Sequence, residues 1–177
     1  MIDLAQVKLR ESTPEDAAAL RALHTAAFNG EAEAGLVEAL TRADAVRLSL
    51  VAEVEGRIIA HVLFSPVRIL REGPELASNA VLGLAPMAVH PDAQRQQIGY
   101  QLLLGALSRL ANAGVQAVVV LGHPGYYPRF GFVPAERFGL RWERPCPPEA
   151  IMALELVNGA LAGPAGIVRY APEFDGL

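Results

Sequence analysis

Cysteine is almost absent: Cys146 is the only one in 177 residues, so an intramolecular disulfide cannot form and a thiolate metal cluster has no support. It stands among Pro145, Pro147 and Pro148. An excess of basic charge is also missing. The formal net charge of -4 leaves no broad positive field for nucleic acid or an anionic membrane surface, although a small or basic acceptor stays compatible. No stretch approaches the roughly 18 consecutive apolar residues of a membrane span. The opening MIDLAQVKLR carries Asp3 near its front and lacks the basic segment and apolar run of an export signal. Internal repeats, low-complexity tracts and domain linkers are missing as well. His24 and His61 show no metal-ligand spacing and read as structural residues. These absences predict one domain over residues 1–177, in a reducing cytoplasm, with no metal.

The chain is 52% apolar and 19% charged, enough for a sizeable core. Thr13, Pro14, Glu15 and Asp16 set a hydroxyl cap, a first-turn proline and two carboxylates where a helix begins. Leu20, Leu23, Ala27 and Phe28 share a helical face. Asn29 and Gly30 interrupt it before a second short helix through Leu36, Val37 and Leu40. From Leu48 to Val54 the pattern becomes strand-like. Glu55 and Gly56 signal a turn into Ile58 to Leu70, which Pro66 bends or confines to an edge. A polar connection, Arg71 to Asn79, precedes the apolar strand Val81 to Val89. After His90, Pro91 and Asp92, the residues Ile98, Leu102, Leu103, Ala106, Leu107 and Leu110 recur with helical spacing until Gly114. Val115 to Leu121 is then another apolar strand. Strand, helix and strand read as a βαβ unit with parallel strands. Further strand-like stretches lie near Met152 to Val157 and Ile167 to Tyr170.

The junction Leu84 to Leu103 carries the chemistry. It joins a buried strand to a helix whose first N–H groups lack intrahelical acceptors, and with the helix dipole these suit a pyrophosphate. Arg95 adds a charge-assisted donor. An ordinary strand-to-helix connection with a solvent-facing arginine is the competing reading.

Gln94, Arg95, Gln96, Gln97, Ile98 and Gly99 resemble the acetyl-CoA loop Q/R-x-x-G-x-G/A of the GNAT superfamily, the Gcn5-related N-acetyltransferases. The chain departs from that pattern at Gln97, which stands at the first glycine, and at Tyr100, where a small residue is common. Helical backbone at Gln97 would suit glutamine as well as glycine. Tyr127, Pro128, Arg129, Phe130, Gly131 and Phe132 are similar to the superfamily's Y-x-x-x-G-F segment. The tail, Met152 to Leu156 and Ala160 to Tyr170, is similar to the YhbS-like branch.

This resemblance implies an α/β (α+β) fold with a mixed, mostly antiparallel sheet, a central β-α-β unit, and fourth and fifth strands that are parallel and splayed. It implies acetyl-CoA as cosubstrate and a small-molecule or peptide amine as acceptor, and it leaves a homodimer open. Main-chain groups around Met87, Ala88 and Val89 would pair with the pantetheine arm, and the loop from Gln94 to Gly99, with Tyr100, would hold the pyrophosphate. In direct transfer a neutral amine attacks the thioester and Tyr127 protonates the departing sulfur. With a phenol at pKa about 10 and a thiol at about 8.5, full transfer is uphill by about 2 kcal/mol. Packing is the other reading of Tyr127, and the expected role of Tyr126.

An amine of pKa about 10.4 also needs a proton acceptor near pH 7. Glu53, His90 and His123 are candidates, each with a solvated or packing alternative. Glu31, Glu33 and Glu38 offer negative charge to a cationic acceptor, or simply a solvated helix face. Cys146 as an acyl carrier would lack a histidine nearby in sequence. Two other functions stay open: a non-catalytic acyl-CoA sensor, which Gln97 keeps alive, and a nucleotide-binding α/β domain, against which the lone phosphate loop weighs.

Overall fold

The computed structural model describes residues 2–77 and 79–176; Ser78, within the polar connection, lies outside them with Met1 and Leu177. Thr13 opens a short 3-10 turn, Pro14–Asp16, through a capping box in which the Asp16 carboxylate accepts from the Thr13 N–H at 2.8 Å. The helix α1 (Ala17–Phe28) follows directly and ends at Asn29, whose φ of 55° makes it, rather than Gly30, the left-handed cap. After α2 (Ala32–Arg42), β2 (Leu48–Val54) pairs antiparallel with β1 (Lys8–Glu11) and with β3 (Arg57–Pro66). Glu55 at φ 49° and Gly56 at φ 78° form the tight turn between β2 and β3, a left-handed pair whose twist matches the hairpin.

Pro66 ends β3, and the expected bend is a full break: β4 (Arg68–Leu70) pairs with β10 (Gly166–Arg169), which also pairs in parallel with β8 (Leu140–Trp142). The predicted βαβ unit is β5 (Val81–Val89), α3 (Ile98–Asn112) and β6 (Ala117–Leu121). Its parallel register runs from Val81 opposite Ala117 to Leu84 opposite Val120. Ala85 to Val89 continue β5 beyond that ladder, and Pro86 among them has no N–H to donate. β9 (Ile151–Glu155) is antiparallel to both β6 and β7 (Val133–Pro134). The strand order is β1-β2-β3-β5-β6-β9-β7, with β4-β10-β8 as a second sheet. This is the mixed, mostly antiparallel architecture expected; the superfamily's fourth and fifth strands are β5 and β6.

The chain divides into two compact units, one of residues 1–64, 86–109 and 172–177 and the other of residues 65–85 and 110–171. In the first, Leu40, Leu50, Leu63, Phe64, Leu102 and Leu103 are wholly buried. In the second, Val118, Val119, Ala153, Leu161 and Val168 have no exposure, and Phe132 has 2%. Each large apolar side chain so buried contributes about 1.5–3 kcal/mol before the entropy of ordering is charged against it. No helix among the described residues is long and apolar enough to cross a membrane.

Candidate functional site

The strand-to-helix junction lies in the first unit. His90 leaves β5 by donating its backbone N–H to the Ile59 carbonyl at 2.9 Å, and Pro91–Ala93 then form a 3-10 turn anchored by buried Ala93. The Gln94 side-chain amide donates to the Val89 carbonyl at 3.1 Å. Gln96 is tied twice, donating to the Asp92 carbonyl at 2.8 Å and accepting from the Ile2 N–H at 2.7 Å. These side chains brace the loop on itself. Of the main-chain groups expected to meet a pantetheine arm, the Val89 carbonyl is therefore already engaged, while Met87 and Ala88 lie in the stretch of β5 beyond the β6 ladder.

The loop's backbone differs from expectation. Arg95 has φ 60° and Gln97 has φ 63°, so Gln97 is left-handed rather than helical. Each such residue costs about 1–2 kcal/mol unless it is glycine. This left-handed conformation is a physical reason for glycine at the corresponding position of the motif. Beyond Gln97, α3 begins at Ile98, which is buried, as Gly99 is, with Tyr100 half-buried. The exposed loop residues Gln94, Arg95 and Gln97 thus surround a helix start, where unsatisfied N–H groups favour an anion.

Tyr127 lies in the second unit, opening the 3-10 turn Tyr127–Phe130 after β6. Its ring meets Tyr126 edge-on at 5.2 Å and Phe132 at 5.7 Å. A Cβ on Gly122 would collide with that ring, so the absence of a side chain at Gly122 lets the tyrosine lie against the end of β6. Burial, reinforced by Tyr126, pushes the Tyr127 phenol up to about 12. The sequence reading missed Tyr170: its fully buried hydroxyl donates to the Val119 carbonyl of β6 at 3.3 Å, and burial followed by Tyr127 raises its pKa. Its signal was only the last position of an apolar tail segment.

The other candidates are mostly engaged. Glu53 is held by Arg10 at 2.8 Å, and Arg10 also binds Asp16 at 2.7 Å. His90 Nε2 is 3.0 Å from an Arg57 guanidinium nitrogen, and His90 Nδ1 accepts from the Asp92 N–H at 3.3 Å. Arg21 binds Glu31 at 2.6 Å and Glu38 at 2.8 Å, leaving Glu33 as the member of that trio outside these pairs. His123 is exposed in the turn after β6. Burial, then Glu149, raises the Cys146 thiol, which disfavours the thiolate an acyl carrier needs. No group of three or more potential metal ligands occurs among the described residues.

Residues 8–135 match the family model of the acetyltransferase (GNAT) domain. The chain belongs to the GNAT family. The uncharacterized N-acetyltransferase YhbS of Escherichia coli (strain K12) is 37% identical over 168 residues, covering 94% of this chain and 98% of the relative. A crystal structure of Escherichia coli YhbS in complex with CoA aligns with TM-score 0.89 at 35% identity, covering 99% of this chain and 96% of that one. A GNAT family acetyltransferase from Brucella melitensis in complex with acetyl-CoA aligns with TM-score 0.77 at 34% identity, covering 96% and 98%.

Proposed function

We propose that this GNAT chain is an acetyl-CoA-dependent N-acetyltransferase, residues 1–177 acting as one catalytic domain in the cytoplasm, that acylates a primary amine of a small molecule or peptide by direct transfer. The observation that carries the reading is the left-handed turn through Arg95 and Gln97 into the start of α3, in a chain 35% identical over 99% of its length to a CoA-bound relative. Gln94, Arg95, Gln97, Ile98, Gly99 and Tyr100 hold the pyrophosphate through main-chain N–H groups and the Arg95 guanidinium, and Gln96 fixes the loop. The main chain of Met87 and Ala88 receives the pantetheine arm as an added strand would; Val89 keeps its carbonyl on Gln94.

Acetyl-CoA supplies the thioester. The neutral amine forms the new C–N bond through its nitrogen and gives up a proton to solvent, the C–S bond breaks, and Tyr127 donates its proton toward the sulfur that leaves and recovers one from solvent. With the phenol at about 12 and a thiol at about 8.5, complete transfer in the free enzyme is uphill by about 5 kcal/mol rather than 2. Burial that raises the phenol also disfavours a bare thiolate, so the two approach one another in pKa as the bond breaks. Tyr127 consequently works as a hydrogen-bond donor that completes its transfer late. Thiol release from acetyl-CoA across a panel of amines tests the reading: acceptor-dependent release is expected. CoA-induced thermal stabilisation without release would establish the sensor function instead, the alternative that an unusual residue at Gln97 favours.

A further inference from the structure

The first unit contains a chain of two buried histidines and two half-buried serines that the transfer reaction does not use. His24 on α1 and His61 on β3 have no solvent exposure. His24 Nε2 lies 2.8 Å from His61 Nδ1, His61 Nε2 lies 2.8 Å from Ser49 Oγ, and Ser49 Oγ lies 2.5 Å from Ser12 Oγ. At the inner end, His24 Nδ1 has no hydrogen-bond partner, and its ring stacks on Phe28. At the outer end, Ser12 and Ser49 line a cavity of about 540 Å³ bounded by α1, α2, β1 and β2.

Proton order along this chain follows from its inner end. Burial lowers both imidazole pKa values, so each ring is neutral and carries one N–H. A buried N–H without an acceptor is rarer and more costly than a lone pair left unfilled. His24 therefore carries its proton on Nε2 and donates to His61 Nδ1. His61 must then carry its proton on Nε2 and donate to Ser49. The Ser49 and Ser12 hydroxyls share a single hydrogen bond in which either can donate, so one hydroxyl proton is left to point outward, and with Ser49 donating it is that of Ser12 at the outer end. The cavity presents a hydrogen-bond donor whose direction is set in the core.

Its remaining lining defines the ligand. Leu20, Val37, Val46 and Leu48 supply apolar walls, and Arg21, Arg42 and Arg47 outnumber Glu11 and Glu38 among the charged residues. Arg21 is itself shared between Glu31 at 2.6 Å and Glu38 at 2.8 Å, and Glu11 lies 3.7 Å from Arg109, so the positive charge of the lining comes from Arg42 and Arg47. An acceptor head with negative charge and an apolar body meets all three features. We propose that this cavity is a second ligand site, separate from the cofactor loop, for a small aliphatic carboxylate whose head accepts from the Ser12 hydroxyl.

Two measurements test this independently of acetyl-CoA. Long-range 1H–15N spectra of the histidine rings should show His24 and His61 both protonated at Nε2; a proton on Nδ1 of either ring reverses the donor order and overturns the proposal. In amide NMR titrations with sodium hexanoate at millimolar concentration, the shifts should centre on Ser12 and Ser49, with hexylamine at the same concentration producing none there. Ser12→Ala should weaken hexanoate binding about tenfold or more, the loss of one hydrogen bond to a charged group. Arg42→Glu, at an exposed rim position, should weaken it as well and keeps the test decisive if Ser12→Ala fails to fold. Absence of hexanoate binding, equal binding of hexylamine, or unchanged hexanoate affinity in either folded variant overturns the proposal.

Discussion

Tyr127→Phe removes one oxygen and leaves the ring packed against Tyr126, Phe132 and the backbone of Gly122. The fold should tolerate the change, because the apolar contacts persist and one buried hydroxyl is relieved of its desolvation. A hydrogen bond to a developing thiolate is charge-assisted, worth about 1.5–3 kcal/mol, so its loss alone predicts a fall in kcat of roughly 10–100-fold, and proton transfer adds to that. Burial holds the phenol at about 12, so it remains the protonated acid throughout the neutral and mildly alkaline range. Its own ionisation should therefore put no descending limb on kcat below that value. Steady-state turnover with a competent amine, measured beside CoA titrations of the wild type and both Tyr126→Phe and Tyr127→Phe, checks the reasoning. The expected pattern is a loss of about 10²-fold in kcat with an unchanged CoA Kd for Tyr127→Phe, and a milder effect for Tyr126→Phe. Near-wild-type kcat would refute the acid role, and parallel losses in turnover and CoA affinity would assign Tyr127 to binding or packing.

Gln97→Gly should relieve about 1–2 kcal/mol of left-handed strain and return about 0.4–1 to the unfolded chain, a net gain of up to about 1.6 kcal/mol. Urea denaturation measures it, and CoA affinity should hold or improve; a large loss would mean that the Gln97 side chain itself touches the ligand. Gly122→Ala should lower kcat along with stability, because its Cβ would displace the Tyr127 ring; full activity in a crystal with an unmoved ring would contradict the packing argument. Acid should destabilise the chain through His24 and His61, whose pKa values burial lowers from 6.5. The unfolded state takes up the protons first, so stability is complete above about 6.5 and falls by about 1.4 kcal/mol per buried ring for each pH unit below it, until the folded rings titrate. Denaturation midpoints between pH 7 and 5 should fall less in His61→Gln, provided that variant folds; the same slope in wild type and variant would refute the linkage.

Features set by neighbours in the chain were legible in advance. The cap at Thr13 and Asp16, the stop at Asn29 and Gly30, the turn at Glu55 and Gly56 and the βαβ unit all depend on local spacing. The Gln97 departure was legible as a missing glycine, although its left-handed backbone was not, because nothing around a lone glutamine announces a positive φ. Pairings across long separations left no trace. The second sheet joins three short strands, Arg68–Leu70, Leu140–Trp142 and Gly166–Arg169, each too short to show periodicity. Arg21 claims Glu31 and Glu38, so two of the glutamates that offered either charge for a cationic acceptor or a solvated helix face are ion-paired instead. His24 and His61 read as structural from their spacing, but the hydrogen bond between them, and the donor chain it starts, required the fold.

Calorimetric titration with acetyl-CoA tests the central claim most directly, because the cofactor assignment underlies every step of the proposed transfer. Saturable binding at one site per chain is expected. At one hundred times the dissociation constant, that ligand should stabilise the native state by about 2.7 kcal/mol. Arg95→Glu should weaken the binding by placing a negative charge on the loop that meets the pyrophosphate. Titration to millimolar acetyl-CoA with no heat of binding and no accompanying rise in Tm would contradict the account.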